Sequence, residues 1–132
     1  MHKLSILALA LIGGFAGSLS AQTALKDVAH VREGIIAIGM AVEISDKCGS
    51  ISPRTLQGIN TLRGLQKHAR DLGYSQAQID AYVDDRAEKR RLEGIARERL
   101  ADMGVVAGQE STYCAVGRAQ ISAGTAVGRL LR

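Results

Sequence analysis

Two cysteines, Cys48 and Cys114, constrain the fold of this chain more than any other feature of its sequence. They are the only cysteines present, so one intramolecular pairing is possible. A bridge between them would close a loop of more than sixty residues, which the chain-entropy model stabilises by roughly 4 kcal/mol. A redox-active or metal-binding thiol pair is the alternative, but there is no Cys-x-x-Cys motif and no histidine at ligand spacing. We therefore predict a structural disulfide.

The N-terminal residues have the pattern of a secretory signal peptide. A positive start, Met1–Lys3, precedes an uncharged apolar run, Leu4–Gly17, and the small residues up to Ala21 offer a cleavage site. The sequence thus predicts a signal peptide over residues 1–21 and a single helical domain over residues 22–132. An uncleaved segment that tethers the chain to the membrane is the alternative. Export places the cysteines in an oxidising compartment and predicts a periplasmic or secreted protein.

Helical periodicity runs through every long segment of the predicted mature chain. Strand-length clusters of β-branched or aromatic residues are absent from that sequence. The predicted fold is all-α, a small bundle of about five helices. The first helix is expected to begin with Asp27 as its N-cap and to end near Cys48. Its two apolar rows predict a central position. The first row is Val28, Val31, Ile35, Ile38 and Val42, and the second is Ile36, Met40 and Ile44.

Capping residues predict where the other four helices begin. Ser52 followed by Pro53 marks the second helix, since proline at the first helical position loses no hydrogen bond. Ser75 and Asp85 have the spacing of capping boxes and predict the third and fourth helices, and Ser111 is expected to cap the fifth. The expected core side of the second helix is Leu56, Ile59, Leu62, Leu65, Ala69 and Leu72. A last short turn is expected to bring Val127, Leu130 and Leu131 onto the bundle.

The charge of the chain does not point to nucleic acid or to anionic lipid as a partner. The formal charge is +4, and removal of Lys3 with the signal peptide lowers it by one, a mild surplus that serves solubility. The charged run over residues 84–99 contains both signs in nearly equal number, which is typical of a solvated helix face. Only three aromatic residues follow the signal peptide, Tyr74, Tyr82 and Tyr113, so stacking sites for bases or sugars are not indicated.

Candidate catalytic, cofactor-binding and metal-binding residues do not emerge from the sequence, and no cofactor is predicted. His30 and His68 each lie on a predicted helix with no second histidine or cysteine one turn away. The adjacent carboxylates Asp84 and Asp85 point in different directions along the chain, and capping explains Asp85. There is no Gly-x-Ser-x-Gly elbow and no phosphate-binding glycine loop. These observations favour a protein that is not an enzyme.

Glycines on the predicted helices suggest one further feature. Each costs roughly 1 kcal/mol relative to alanine, so close packing of helices explains some of them. The sharper hypothesis is a groove lined by small residues on the first and fifth helices that a partner helix or peptide enters. The residues predicted to contact a partner are Gly117, Gly124, Gly128, Arg129, Leu130 and Leu131. Removal of residues 129–132 is expected to weaken partner capture and to leave the fold largely intact.

Several segments together resemble a known family. They are Glu43–Cys48, Gly73–Ser75, Ala81–Val83, Tyr113–Arg118 and the terminal Gly128–Arg132. In these the chain resembles a family of short exported alphaproteobacterial proteins called domain of unknown function 5333, over the whole mature chain. The resemblance implies an exported protein with a cysteine pair. It implies no activity, cofactor or catalytic residue.

Three functional hypotheses follow. The first is a non-enzymatic module in the periplasm that binds a protein or peptide, using the apolar first helix and the C-terminal residues named above. The second is a stress-related holdase chaperone, by analogy with small helical periplasmic chaperones. The third is a metal-binding protein or enzyme whose site combines residues distant in sequence, such as His30, His68 and carboxylates. The oligomeric state is not predicted.

Overall fold

The structure, a computed structural model, describes residues 21–132, so the predicted signal peptide lies outside the described residues except for Ala21. The predicted all-α bundle of five helices is confirmed. A short 3-10 helix, Leu25–Asp27, precedes the five, and a second, Gly128–Leu130, follows them. The five are α1 (Ala29–Lys47), α2 (Thr55–Asp71), α3 (Gln76–Val83), α4 (Arg86–Asp102) and α5 (Glu110–Ala123). None of the helices described is both long and apolar enough to cross a membrane.

Helix α1 is the central element, because α2, α4 and α5 all pack against it. Its buried residues are Val31, Ile36, Met40, Ala41 and Ile44. The second of the two predicted apolar rows is therefore in the core, whereas Val31 is the one buried member of the first row. Val42, for example, is 49% exposed. The helix begins one residue after Val28, which takes the N-cap position predicted for Asp27.

The helix starts predicted at Ser75 and Asp85 are confirmed. Ser75 accepts a hydrogen bond from the backbone N–H of Gln78, and the Gln78 side chain accepts one from the N–H of Ser75, which completes a capping box. Asp85 accepts from the backbone N–H of Glu88. Helix α4 then buries Leu92, Ala96 and Leu100. These signals worked because each cap is satisfied within its own turn of chain.

The start of α2 was predicted wrongly. Ser52 and Pro53 lie in extended chain beside the C-terminus, and α2 begins at Thr55. Pro53 forms an antiparallel bridge with Leu131, the only β-structure among residues 21–132. Proline fits here because the flanking N–H groups, those of Ser52 and Arg54, make the hydrogen bonds to the C-terminal segment. A tertiary pairing thus overrides a local helix signal.

Most of the core side predicted for α2 is also wrong. Only Leu65 and Ala69 are buried on this helix. The helix touches α1 around Leu65, where a Cβ atom added to Gly34 would lie 2.6 Å from Leu65 Cδ2. Because α2 packs mainly at this crossing, the rest of its apolar row faces solvent. The exposed members are Leu56, Ile59, Leu62 and Leu72.

The disulfide joins α1 to α5. Cys48 follows the last residue of α1, and its Sγ lies 2.00 Å from that of Cys114. Helix α5 begins at Glu110, one residue before its predicted cap Ser111, so Cys114 lies in the second turn. At Gly117 the two helices approach closely, since an added Cβ would lie 2.7 Å from Ile44 Cγ2. After α5, Val127, Leu130 and Leu131 are buried on the bundle as predicted.

Candidate binding groove

A groove of about 560 Å³ lies along α1 and is lined also by residues of α2, α3 and α4. Its apolar lining includes side chains from all four helices. They are Ile35, Ile38, Val42, Leu62, Val83 and Leu92. Three of these are widely exposed to solvent: Val42 at 49%, Leu62 at 43% and Val83 at 61%. The groove therefore presents apolar surface that the fold itself does not cover.

The sequence creates this groove through the spacing of apolar residues on α1. Ile35, Ile38 and Val42 follow one another at three- and four-residue intervals and share a face beside the buried row. Helices α2 and α4 cover only part of that face, and the rest of it forms the floor of the groove. Because α2 is exposed beyond its crossing with α1, Leu62 lines the groove and is not packed in the core.

Carboxylates outnumber cations around the groove. Five acidic side chains line it, against two basic ones, Lys89 and Arg97. The acidic residues are Glu43, Asp46, Asp85, Glu88 and Glu93. Glu43 and Asp46, on α1, have no basic partner within 4.0 Å in the described part of the chain. The groove is thus acidic on a chain whose formal charge is +4.

Tyr82 lines the groove, but its polar atom is withdrawn from solvent. Its hydroxyl is buried, and within residues 21–132 it has no hydrogen-bond partner. Burial raises the pKa of this hydroxyl, and the nearby Glu88 carboxylate raises it further. An unsatisfied buried hydroxyl costs about 1–3 kcal/mol.

A second cleft, of about 390 Å³, is polar and belongs to an ion-pair network. Arg99 of α4 donates to both carboxylate oxygens of Glu33 on α1, at 2.5 and 3.1 Å. This hydrogen bonding holds the pKa of Glu33 below its ordinary value. Arg91 likewise donates two hydrogen bonds, at 2.8 and 2.7 Å, to the buried Glu88 and lowers the pKa of that carboxyl. Three of the four cations that line this cleft, Arg32, Arg91 and Arg99, are therefore already paired with carboxylates.

Residues 23–132 match the family described as Family of unknown function (DUF5333). The chain belongs to this family. The match covers all the described residues apart from the first two, and so includes every side chain of the groove. No curated protein matches the chain, and no solved structure does.

The partner-contact residues predicted at the C-terminus do not form an open surface in this member of the family. Gly117, Gly128, Leu130 and Leu131 are buried, while Gly124 and Arg129 are exposed. None of the six lines the groove. A Cβ on Gly128 would lie 1.9 Å from the backbone oxygen of Gln120, so this glycine permits close packing of the chain on itself. Only the α1 part of the predicted contact region lies along the groove.

The cysteine site contains a third group with ligand chemistry, the Glu110 carboxylate. One atom each from Cys48, Cys114 and Glu110 lie within 4.8 Å of one another. The two sulfurs, however, are bonded together, and Glu110 accepts a hydrogen bond of 3.0 Å from the N–H of Gly49. A disulfide sulfur is not the thiolate that binds metals. The arrangement is therefore structural, and the carboxylate secures the turn that follows α1.

The two histidines interpreted from the sequence as isolated lie together in the structure. His30 is in the first turn of α1 and His68 in the last turn of α2, and their ring centroids are 4.4 Å apart with the planes tilted by 57°. Sequence reasoning missed this pair because the two positions are 38 residues apart. Only the antiparallel crossing of the two helices brings them into contact.

Proposed function

We propose that this chain is an exported, non-enzymatic module that holds a segment of another polypeptide in the α1–α4 groove. The observation that carries the proposal is the exposure of Val42, Leu62 and Val83 along one apolar groove. Isolated exposed apolar residues are ordinary, but side chains that converge on one concave surface favour a binding site. A helix or extended segment bound there would cover them.

The charge of the groove specifies the chemistry of the partner. The carboxylates of Glu43 and Asp46, which pair with no cation among residues 21–132, flank an apolar floor. An amphipathic segment with Leu-like side chains on one face and Lys or Arg beside them would match both properties. A segment with acidic residues would meet repulsion, so charge also provides selectivity.

The compartment is part of the same proposal. The disulfide between Cys48 and Cys114 is compatible with an oxidising environment outside the cytosol. The N-terminal pattern that predicts a signal peptide agrees with it. We therefore place the partner among proteins or peptides that the module meets after export.

The test uses a fluorescent amphipathic peptide built only from Leu and Lys at helical spacing. We expect saturable binding by fluorescence anisotropy, and at least about tenfold weaker binding to the Leu62→Lys variant. The matched control is Leu56→Lys. Both leucines are exposed on α2, but Leu56, at 78% exposure, does not line the groove. The control should bind as the unchanged chain does.

Equal binding by the two variants, or no binding at all, would contradict the proposal. A second peptide, with Glu in place of every Lys, tests the charge argument separately, and we expect it to bind far more weakly. If both peptides bind equally, and if aggregating clients of any charge are also kept in solution, the holdase hypothesis would replace the module described here.

A further inference from the structure

The contact between His30 and His68 lies outside the groove, since neither histidine lines it. The two imidazole rings come from different helices, and their centroids lie 4.4 Å apart. His30 is exposed and His68 is partly exposed, so an ion can reach the pair from solvent. Neither ring is held in the core by burial. The pair is therefore accessible from solvent, and the two rings lie side by side.

The backbone arrangement beneath the pair is fixed by packing and not by the histidines. One turn further along, Gly34 of α1 lies against Leu65 of α2, with an approach so close that an added Cβ would lie 2.6 Å from Cδ2. Leu65 is buried in this contact. Positions 30 and 68 are thereby brought opposite each other by a tight helix crossing. A site on rigid elements of this kind needs little rearrangement to bind.

We propose that His30 and His68 together bind one divalent transition metal ion, with water completing its coordination. Imidazole nitrogen is the commonest protein ligand for such ions. At metal–nitrogen distances of about 2.0–2.1 Å, two nitrogens on one ion lie roughly 3 to 4 Å apart, a separation that these two rings can reach by side-chain rotation.

The chemistry of the ligands indicates which ions bind. Two imidazoles and water suit Cu²⁺, Ni²⁺ and Zn²⁺ and disfavour Ca²⁺ and Mg²⁺, which prefer oxygen ligands. Asp71 lies one turn after His68 on α2, but its carboxylate accepts a hydrogen bond of 2.7 Å from Lys67. With two protein ligands the ion remains exchangeable. Affinity should follow the Irving–Williams order, with Cu²⁺ tightest.

The bound ion would link α1 to α2 at the end of their crossing. His68 and the groove residue Leu62 lie on the same helix. An ion that ties His68 to α1 would therefore restrain the wall of the groove that α2 supplies. The proposed metal site does not rest on the proposed peptide binding, since it requires neither the groove nor a peptide.

The experiment titrates the untagged chain, expressed with its own N-terminal segment, with CuCl₂, NiCl₂ and ZnCl₂ in a calorimeter. We expect one ion per chain. Loss of a group that only orients a metal ligand costs about tenfold or more in affinity, so His30→Gln and His68→Gln should each cost at least as much. Asp71→Asn serves as the matched control, because it changes the neighbouring charge and keeps both rings, and its affinity should fall by far less than that of either glutamine variant.

A second measurement does not depend on the variants. Nitrogen-15 NMR of the unchanged chain with ZnCl₂ should shift the ring signals of both histidines together, at the same ion concentration. If only one ring responds, or if both glutamine variants bind as tightly as the unchanged chain, the ion is adventitious and the proposal is overturned.

Discussion

Ser52 and Arg132 pair backbone to backbone. The N–H of Ser52 donates to the Arg132 carbonyl at 2.8 Å, and the N–H of Arg132 donates to the Ser52 carbonyl at 2.9 Å. A third hydrogen bond, from Arg54 to the Leu130 carbonyl, is also 2.8 Å long. These bonds hold the C-terminal segment against the chain that leads into α2, and they place Leu130 and Leu131 in the core.

Removal of residues 129–132 should therefore destabilise the fold, contrary to the expectation from the sequence. Burial of a leucine side chain contributes about 1.5–3 kcal/mol, and two are lost with the segment. We expect the free energy of unfolding to fall by at least about 3 kcal/mol, measured by urea denaturation. Arg132→Ala is the control, since it keeps the backbone hydrogen bonds. A truncated chain as stable as the full one would show that the docked segment contributes nothing.

Loss of the disulfide should destabilise the chain by up to about 4 kcal/mol, the value expected for a loop of this length. Alanine is the better replacement at both Cys48 and Cys114, because Cys48 is fully buried and a serine hydroxyl there would need a hydrogen-bond partner. The measurement is thermal unfolding of the double variant beside the unchanged chain with and without reductant. A melting temperature that does not move in either comparison would refute a stabilising bridge.

Gly117 and Gly94 should respond to alanine with opposite signs. At Gly117 the new Cβ would lie 2.5 Å from Ile51 Cδ1 and 2.7 Å from Ile44 Cγ2, and both isoleucines are buried. We expect Gly117→Ala to cost about 1–3 kcal/mol through overpacking. Gly94 lies in α4, and outside its own turn of helix no described atom lies within 4 Å of its added Cβ, so Gly94→Ala should stabilise by about 1 kcal/mol. Denaturant unfolding measures the change in the free energy of unfolding for both variants. A change of the same sign in the two would contradict the prediction.

Glu88 should make stability depend on pH in the acid range. Its hydrogen bonds from Arg91 lower the pKa of the carboxyl in the folded state below the ordinary value of 4.5. The stability it contributes is therefore present above pH 4.5 and is lost as the pH falls through the lower, folded-state pKa. Glu88→Gln should cost about 1–2 kcal/mol at neutral pH and less in acid. Glu98→Gln, an exposed change on the same helix, controls for net charge. A cost that stays constant with pH would argue against the ion pair.

Reversal of the groove charges should weaken binding of the cationic peptide without unfolding the chain. Glu43 and Asp46 lie on the rim, and neither forms an ion pair with a described residue. The double change to Lys should raise the dissociation constant by about tenfold or more at low salt, and added salt should reduce the difference. If the dissociation constant of the Leu/Lys peptide changes neither with the charge reversal nor with salt, apolar contact alone holds the peptide.

Local signals in the sequence predicted the fold where the structure satisfies them locally. The caps at Ser75 and Asp85 act within one turn and were predicted correctly. The Ser52–Pro53 signal failed because the C-terminal segment, almost eighty residues away, pairs with it. The histidine pair has the same origin, a helix crossing that no short window of sequence contains. The groove exists because the part of α2 before Leu65 does not pack against α1. The spacing of apolar residues cannot predict where that packing stops.

The bond between Cys48 and Cys114 encloses α2, α3 and α4 in one covalent loop. A protease that cut the exposed turn after α4, near Gly108, would open the backbone and still leave the two fragments joined. The nicked protein would run as a single species until it was reduced. Helices α1 and α5, which the bond connects, would keep their mutual packing through such a cut, so a single nick in the loop would leave the centre of the bundle assembled.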